Sequence, residues 1–293
     1  MRDHNCPPGA SRHEAVRNRK RQPIEAERTR RARLGRAPPL RPSTRAGSVK
    51  WTRVASLLLL AYGFLFALSG LIHWLLFDQA RIELRPVTDR WMFVASITLS
   101  AAVFIFVVDT AIGGRLPRPN PRRLVTFMAA MLFWGIAVEI VLDWAAVTFI
   151  GRKAWEYQVW PRHDGYTSGV AAFMWPLYGA HLCFFEDALR VRGLLPRTRL
   201  LRSMLAGFDA MTMEIICNLW AIVTFGTYYF YYLAPDLKHF TAGEIFVPYV
   251  LANLALAATV QAVERSGRRW WIWCVGFCVV ALVALFFPWR LAP

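Results

Sequence analysis

Charged residues are scarce in this chain. They make up 18% of its 293 residues, whereas an average soluble domain has about 25%. Hydrophobic residues reach 56% and are concentrated in long uninterrupted blocks. The sequence also lacks phosphate-binding loops of the GxGxxG or GxxxxGK[ST] type, so this chain is not expected to use ATP itself. Together these absences exclude a soluble globular enzyme and indicate a polytopic membrane protein.

Disulfide frameworks and metal-binding motifs are missing as well. The five cysteines are an odd number, and four of them lie inside apolar blocks. A secreted disulfide scaffold would show an even set in loops. No HxxH, HExxH or DDxxD-type cluster occurs. We therefore predict no metal site and no cofactor.

Seven apolar blocks are long enough to cross a bilayer, which takes about 20 mostly apolar residues in a helix. The sequence predicts an all-α bundle of seven transmembrane helices within residues 51–293. The predicted spans are 54–77, 91–112, 124–150, 168–189, 204–225, 243–263 and 270–289.

Basic residues are unevenly distributed along the chain. Residues 1–53 contain 15 of the 35 Lys and Arg residues but only four of the 19 Asp and Glu residues. Residues 1–50 have no apolar run, so we predict a disordered tail. Such a tail can contact anionic lipid headgroups. Nucleic-acid binding is not predicted, because aromatic residues are not interleaved with the basic ones. An over-extended reading frame or a tail without function is the alternative.

Basic residues also orient the predicted helices, because loops rich in Lys and Arg resist translocation. The loops at 115–123, 190–202 and 265–269 share the side of the N-terminal tail and contain 12 basic residues, whereas the opposite side has 8. We expect an inner-membrane protein with a cytoplasmic N-terminus and an external C-terminus.

Two of the predicted helices carry similar sequences. Residues 139–149 read EIVLDWAAVTF, and residues 214–225 read EIICNLWAIVTF. Each glutamate is followed 18 residues later by a tyrosine, Tyr157 or Tyr232. The pattern predicts a parallel tandem repeat of two helices, about 124–189 and about 204–263, related by an axis near the membrane normal.

Carboxylates within the predicted spans are the main candidates for function, because such groups are costly in a bilayer and usually face a partner or a polar cavity. We assign Glu139, Glu214 and Asp143 as candidate catalytic or ion-binding residues. A low-dielectric surrounding favours the neutral acid, so at least one glutamate is expected to carry a proton. The alternative is that each acid only fixes helix packing. Candidate substrate contacts are aromatic residues and one membrane histidine: Trp144, Trp220, Trp155, Tyr157, Tyr232, Tyr178 and His181.

The run Gly135-Ile-Ala-Val-Glu139, the pair Gly165-Tyr166 and the run Pro176-Leu-Tyr-Gly179 occur in that order. This segment of about 45 residues resembles the bacterial membrane family of ABC-transporter type IV proteins, which implies a transport role. The family's Asn-Arg-Gly turn is replaced here by His163-Asp164-Gly165, and the second copy, Pro248-Tyr249, lacks the glycine.

Three functions follow from these residues. The leading one is a small carrier or permease component with intramembrane carboxylates. The second is an intramembrane isomerase or cyclase that acts on an isoprenoid or another lipid, in which a neutral glutamate donates a proton and aromatic rings stabilise a developing cation. The third is a non-catalytic membrane assembly protein. Membrane lipid is the expected partner in each case.

Overall fold

The computed structural model of this chain describes residues 87–110, 118–234 and 236–287. These residues are mostly helical, which confirms the helical class predicted from the sequence. The helices are α1 Arg90–Phe104, α2 Pro121–Ile150, α3 Ala171–Val191, α4 Arg199–Phe225, α5 Phe246–Arg265 and α6 Trp270–Phe286. A π-helical turn, Ile105–Asp109, continues α1.

Five helical segments are long and apolar enough to cross a membrane by length and composition, which is compatible with a multi-pass membrane protein. They are Arg90–Val107, Pro121–Ile150, Arg199–Phe225, Gly243–Arg265 and Gly267–Phe286. The fourth predicted span, 168–189, corresponds to α3, which is not one of the five. The first predicted span, 54–77, and the predicted tail, 1–50, lie outside the described residues.

Local sequence explains where the long helices begin and end. Asn120 precedes α2, and its side chain accepts a hydrogen bond from the N–H of Arg122 at 2.9 Å. Thr198 caps α4 in the same way, through a 3.3 Å hydrogen bond from Leu201 N. Both helices end at a glycine in the left-handed conformation, Gly151 with φ 76° and Gly226 with φ 69°, a conformation that glycine adopts without steric cost.

Helix α2 lies at the centre of the bundle and packs against α3, α5 and α6, while α4 packs against α5. Two glycines allow α2 and α3 to approach closely. A Cβ atom on Gly135 would overlap the ring of Trp175, and one on Gly179 would lie 2.6 Å from the carbonyl oxygen of Phe127. Small residues at helix contacts of this kind are typical of membrane helix pairs.

The outward faces of the helices remain apolar. On α6, large side chains such as Trp271, Ile272, Trp273 and Val275 are exposed. Exposed apolar surface of this extent marks contact with a membrane or a protein partner.

Short strands join the loops at one end of the bundle. The strands are β1 Trp155–Tyr157, β2 Pro161–Arg162, β3 Thr167–Ser168 and β4 Phe230–Tyr232. Strand β1 pairs with β4 in antiparallel register, with Trp155 opposite Tyr232, Glu156 opposite Tyr231 and Tyr157 opposite Phe230. This ribbon links the loop after α2 to the loop after α4 and so ties together the segments that follow the two candidate glutamates.

Candidate functional site

Glu139 is buried on α2, with 5% of its surface exposed. Its carboxylate is held by two hydroxyl groups. Tyr157 Oη donates to Glu139 Oε1, and Thr167 Oγ1 donates to Glu139 Oε2. Both donors come from the loop segment between α2 and α3, so folding of that segment satisfies the acid.

Glu214 is half-buried on α4 and has a matching set of partners. Tyr232 Oη donates to Glu214 Oε1 at 2.7 Å. Thr241 Oγ1 donates to Oε2, and Tyr249 Oη also donates to Oε1. Each glutamate therefore accepts hydrogen bonds from the tyrosine 18 residues downstream and from a threonine further along the chain.

The phenols of Tyr157 and Tyr232 keep their protons over the physiological pH range. Burial raises the pKa of both groups well above its ordinary value, and the neighbouring glutamates raise it further. The two tyrosines are therefore hydrogen-bond donors to the carboxylates. Hydroxyl donors stabilise a charged acid, but they do not supply a counter-charge.

Both glutamates reach a common cavity of about 70 Å³ between the helices. We call it the central cavity. Its volume suffices for a few water molecules. Most of its wall is aromatic or apolar. Besides the two glutamate carboxylates, the imidazole of His181 also faces this cavity. It is lined by Ala101, Ile105, Glu139, Tyr157, Met174, Trp175, Leu177, Tyr178, His181, Ala210, Met213, Glu214, Cys217, Tyr229, Phe230 and Tyr249.

A smaller cavity of about 20 Å³ also touches both glutamates, and Trp155 and Tyr232 lie in its wall. The sequence-predicted residues Glu139, Glu214, Tyr157, Tyr178 and His181 thus meet at the central cavity, and Trp155 and Tyr232 lie beside it.

His181 links two aspartates inside the bundle. Its Nδ1 atom lies 3.3 Å from Asp109 Oδ2, and its Nε2 atom lies 3.0 and 3.1 Å from the two carboxylate oxygens of Asp209. His181 is 1% exposed and Asp109 is 0% exposed. Because the two ring nitrogens face different carboxylates, the three groups form a chain that extends from the central cavity.

Sequence reasoning did not single out Asp109. It ends the π-helical turn after α1, and π-helical turns are frequent at functional sites. An aspartate at the end of an apolar block was the available signal, but nothing in the sequence paired it with His181, 72 positions away.

Asp143 has a different environment from the two glutamates. It is buried, and its Oδ1 atom accepts a hydrogen bond from the backbone N–H of Ala154 at 2.7 Å. It lines neither cavity. Asn218, four residues after Glu214, likewise accepts hydrogen bonds from Tyr229 N at 3.1 Å and Phe230 N at 3.2 Å. Their common spacing from the glutamates was the signal in the sequence.

Two of the three tryptophans predicted to contact substrate, Trp144 and Trp220, lie away from both cavities. Trp144 is 42% exposed and packs against Phe149, and Trp220 is 39% exposed and donates to Ser96 Oγ at 2.8 Å. Neither lines the central cavity or the smaller one. The aromatic wall of the central cavity is formed by Tyr157 and Tyr178, which the sequence predicted, and by Trp175, Tyr229 and Tyr249, which it did not.

Within residues 87–110, 118–234 and 236–287, no group of three or more His, Cys, Asp and Glu side chains is arranged to hold a metal ion. The four cysteines described there are unpaired. Comparison of the chain with protein-family models, with curated proteins and with solved structures finds no match.

Proposed function

We propose that this protein is a small membrane carrier or permease component in which Glu139 and Glu214 form a proton- or cation-binding site. One observation carries the proposal: the two carboxylates face one cavity inside the helix bundle and are held by hydroxyl groups and, within the described part of the chain, by no basic side chain. A buried acid without a counter-charge binds a proton or a cation readily, because either one removes the unfavourable buried charge.

The site is built from two duplicated halves. The equal spacings support this: each glutamate precedes its tyrosine donor by 18 residues, and Asp143 and Asn218 each follow a glutamate by four. The β1–β4 register also supports it. Tyr157 pairs with Phe230 and Tyr232 pairs with Trp155, which is the pairing that a two-fold axis through Glu156 and Tyr231 produces. Transporters with internal repeats bind their substrates at such repeat interfaces.

Protonation of a glutamate can be transmitted to the ribbon beside it. Tyr157 and Tyr232 belong to strands β1 and β4 and donate to the acids. A carboxylate accepts these hydrogen bonds more strongly than a neutral carboxylic acid does. Proton or cation binding therefore changes the contacts that hold the ribbon against the helices, and this links site occupancy to the end of the bundle where the ribbon lies.

The chain Asp109–His181–Asp209 serves this site as a route or store for protons. His181 Nε2 is hydrogen-bonded to Asp209 and can exchange a proton with it, and Asp109 lies 3.3 Å from the other ring nitrogen. His181 also lines the cavity that contains the glutamates. Buried Asp, Glu and His chains are the usual form of proton relays in membrane transporters. The resemblance of residues 135–179 to the ABC-transporter type IV family agrees with a transport role.

A lipid isomerase or cyclase is the second candidate, and the wall of the central cavity favours it. Tyr157, Trp175, Tyr178, Tyr229 and Tyr249 surround the two acids. Aromatic faces stabilise a developing carbocation, and a neutral glutamate can donate the initiating proton.

The cavity beside the acids argues against the third function, a non-catalytic assembly protein, because acids that only fix helix packing would have no empty space next to them.

Transport driven by a pH gradient tests the proposal. The protein is reconstituted in liposomes, and a metabolite extract is added outside. A pH gradient, acidic outside, is then imposed, and the solutes that have entered the liposomes are identified by mass spectrometry. We expect a solute that accumulates with the wild type, and whose accumulation is lost with a protonophore and with Glu139→Gln or Glu214→Gln. Glu244→Gln, a change at an exposed acid, is the matched control and should transport normally.

The same liposomes separate the two candidates when their lipids are extracted and compared. A lipid altered by the wild type but not by Glu139→Gln, with no solute accumulated, would replace the carrier by the lipid enzyme. If neither the wild type nor the two glutamine variants changed any solute or lipid, both functions would be contradicted and the assembly role would remain.

A further inference from the structure

A second, larger cavity of about 170 Å³ lies at the arginine-rich end of the bundle. It is bounded by the beginnings of α2 and α4 and by the ends of α3 and α5, and it is distinct from the central cavity. Its charged lining residues are Arg123, Arg199, Arg202, Glu186 and Glu264.

Arg123 engages both acids of this cavity. Its Nη2 atom lies 2.6 Å from Glu186 Oε2, and its Nη1 atom lies 2.9 Å from Glu264 Oε1. The carboxylates are therefore turned towards one guanidinium. Because two further arginines line the cavity, its charge remains positive.

Arg199 and Arg202 keep hydrogen-bond donors for a ligand. Arg202 Nε donates to the carbonyl oxygen of Pro196 at 2.6 Å, which orients the side chain. The two terminal nitrogens of Arg202 are left to donate to a ligand. Arg199 Nη2 donates to the neutral amide oxygen of Gln261 at 2.5 Å. No carboxylate among the described residues lies within ion-pair distance of either arginine.

The inner wall of this cavity is apolar, with Phe127, Leu182, Phe185, Leu256 and Val260. A charged rim above an apolar wall matches a molecule with an anionic head and a hydrocarbon part. Guanidinium groups bind phosphate oxygens through two parallel N–H donors, which makes arginine the preferred residue for phosphate recognition.

We propose that this cavity binds a phosphate ester through Arg199 and Arg202, and that the phosphate belongs to an anionic membrane lipid, whose hydrocarbon part contacts the apolar wall. The site does not depend on the carrier function or on Glu139 and Glu214. It differs from any contact made by the basic N-terminal segment, because it uses folded positions at the ends of four helices.

Lipid binding by the full-length protein tests the proposal. Detergent-solubilised protein is titrated with dioleoyl phosphatidylglycerol or dioleoyl phosphatidylcholine, and bound lipid is counted by native mass spectrometry. We expect the wild type to prefer phosphatidylglycerol, and Arg199→Gln/Arg202→Gln to lose about tenfold in affinity for it, because hydrogen bonds to charged groups are removed.

Arg197→Gln is the matched control, because Arg197 is exposed two residues before α4 but does not line the cavity. It should bind as the wild type does. The N-terminal segment is present in all variants, so its contribution cancels. Arg202→Lys keeps the charge without the planar fork and should fall between wild type and double variant, which separates lost recognition from lost folding.

Competition with glycerol 3-phosphate identifies the source of the phosphate group. Displacement of the lipid at comparable concentration would assign the site to a soluble phosphate ester, and no displacement would assign it to the lipid. Equal phosphatidylglycerol affinity in the wild type and a folded Arg199→Gln/Arg202→Gln variant would overturn the proposal.

Discussion

Asp143 and Asn218 each accept a hydrogen bond from the backbone N–H group that lies eleven residues further along the chain, at Ala154 and Tyr229. Both side chains are buried at 0% exposure. They fix the start of the loop that brings Tyr157 or Tyr232 to its glutamate. An acid and an amide thus have the same geometric role at these two positions, and this role requires an oxygen acceptor but not a charge.

Asp143→Asn is therefore expected to be tolerated, whereas Asp143→Leu is not. Asparagine retains the acceptor oxygen that Asn218 uses. Leucine leaves the buried N–H of Ala154 without its partner, which costs about 1–3 kcal/mol. Thermal unfolding in detergent, followed by intrinsic tryptophan fluorescence, measures both variants. Equal destabilisation by Asn and Leu would show that the charge of Asp143 is needed.

The buried phenols predict a loss of stability in alkaline solution. Burial raises the pKa of Tyr157, Tyr229 and Tyr232 well above its ordinary value. The unfolded chain therefore releases these protons first, at about pH 10. Stability is unaffected below that pH and falls as the pH rises above it, by about 1.4 kcal/mol per pH unit for each such group.

Tyr157→Phe should make this alkaline loss less steep, because it removes one of the phenols. The measurement is the unfolding midpoint in denaturant between about pH 9 and pH 12, around the ordinary tyrosine pKa of about 10. Tyr231→Phe is the matched control from the same ribbon: burial raises the pKa of Tyr231 as well, but the residue is only half-buried, so its effect should be smaller. An unchanged slope in Tyr157→Phe would contradict the expectation.

His181 and Asp209 are expected to be strongly coupled in a double-mutant cycle. His181→Gln leaves Asp109 and Asp209 without their shared partner, and removal of one member of a buried ionic set costs about 3–5 kcal/mol. Asp209→Asn should cost less in the His181→Gln background than in the wild type, with a coupling energy of about 0.5–3 kcal/mol.

Denaturant unfolding of the four proteins gives this coupling energy. Asp187→Asn is the matched control. Asp187 lies on the same helix as His181 and forms a long ion pair of 4.0 Å with the exposed Arg190 at the end of α3. Its replacement should change the free energy of unfolding by less than about 0.5 kcal/mol. Additive effects of His181→Gln and Asp209→Asn would mean that the contact seen between their side chains contributes nothing to folding.

Cysteine labelling tests the membrane orientation predicted from the loop charges. Arg152 and Arg197 are both exposed, after α2 and before α4 respectively. In a variant without the five natural cysteines, Arg152→Cys should react with an impermeant maleimide on intact cells, and Arg197→Cys only after permeabilisation. The reverse pattern would invert the topology, and labelling of both on intact cells would contradict a membrane crossing between them.

Much of the helical architecture was readable from the sequence, because transmembrane segments must be long, apolar and internally hydrogen-bonded. The predicted blocks at 124–150 and 204–225 correspond to α2 and α4 with small changes at their ends. The block at 168–189 shows the limit of this reasoning. It forms helix α3, but its interior histidine and its charged end place it outside the five segments apolar enough to cross a membrane.

The candidate acids were also readable, because a carboxylate in an apolar helix is conspicuous by its cost. The equal spacing from Glu139 to Tyr157 and from Glu214 to Tyr232 is present in the printed sequence, and the structure makes both pairs hydrogen-bonded partners. Trp144 and Trp220 show why similarity alone was insufficient: they share a motif with the acids, but their helix faces turn them outward.

Composition and the length of the hydrophobic blocks depend only on the order of residues, and they predict a helical membrane protein with acids inside apolar segments. Which side chains meet depends on the packing of the helices and loops. The contact of Asp109 with His181 and the shared cavity of Glu139 and Glu214 depend on how the helices rotate and pack. The pairing of β1 with β4 likewise joins segments about 75 residues apart. Such contacts follow from side-chain shape across helices, which the spacing along one helix does not encode.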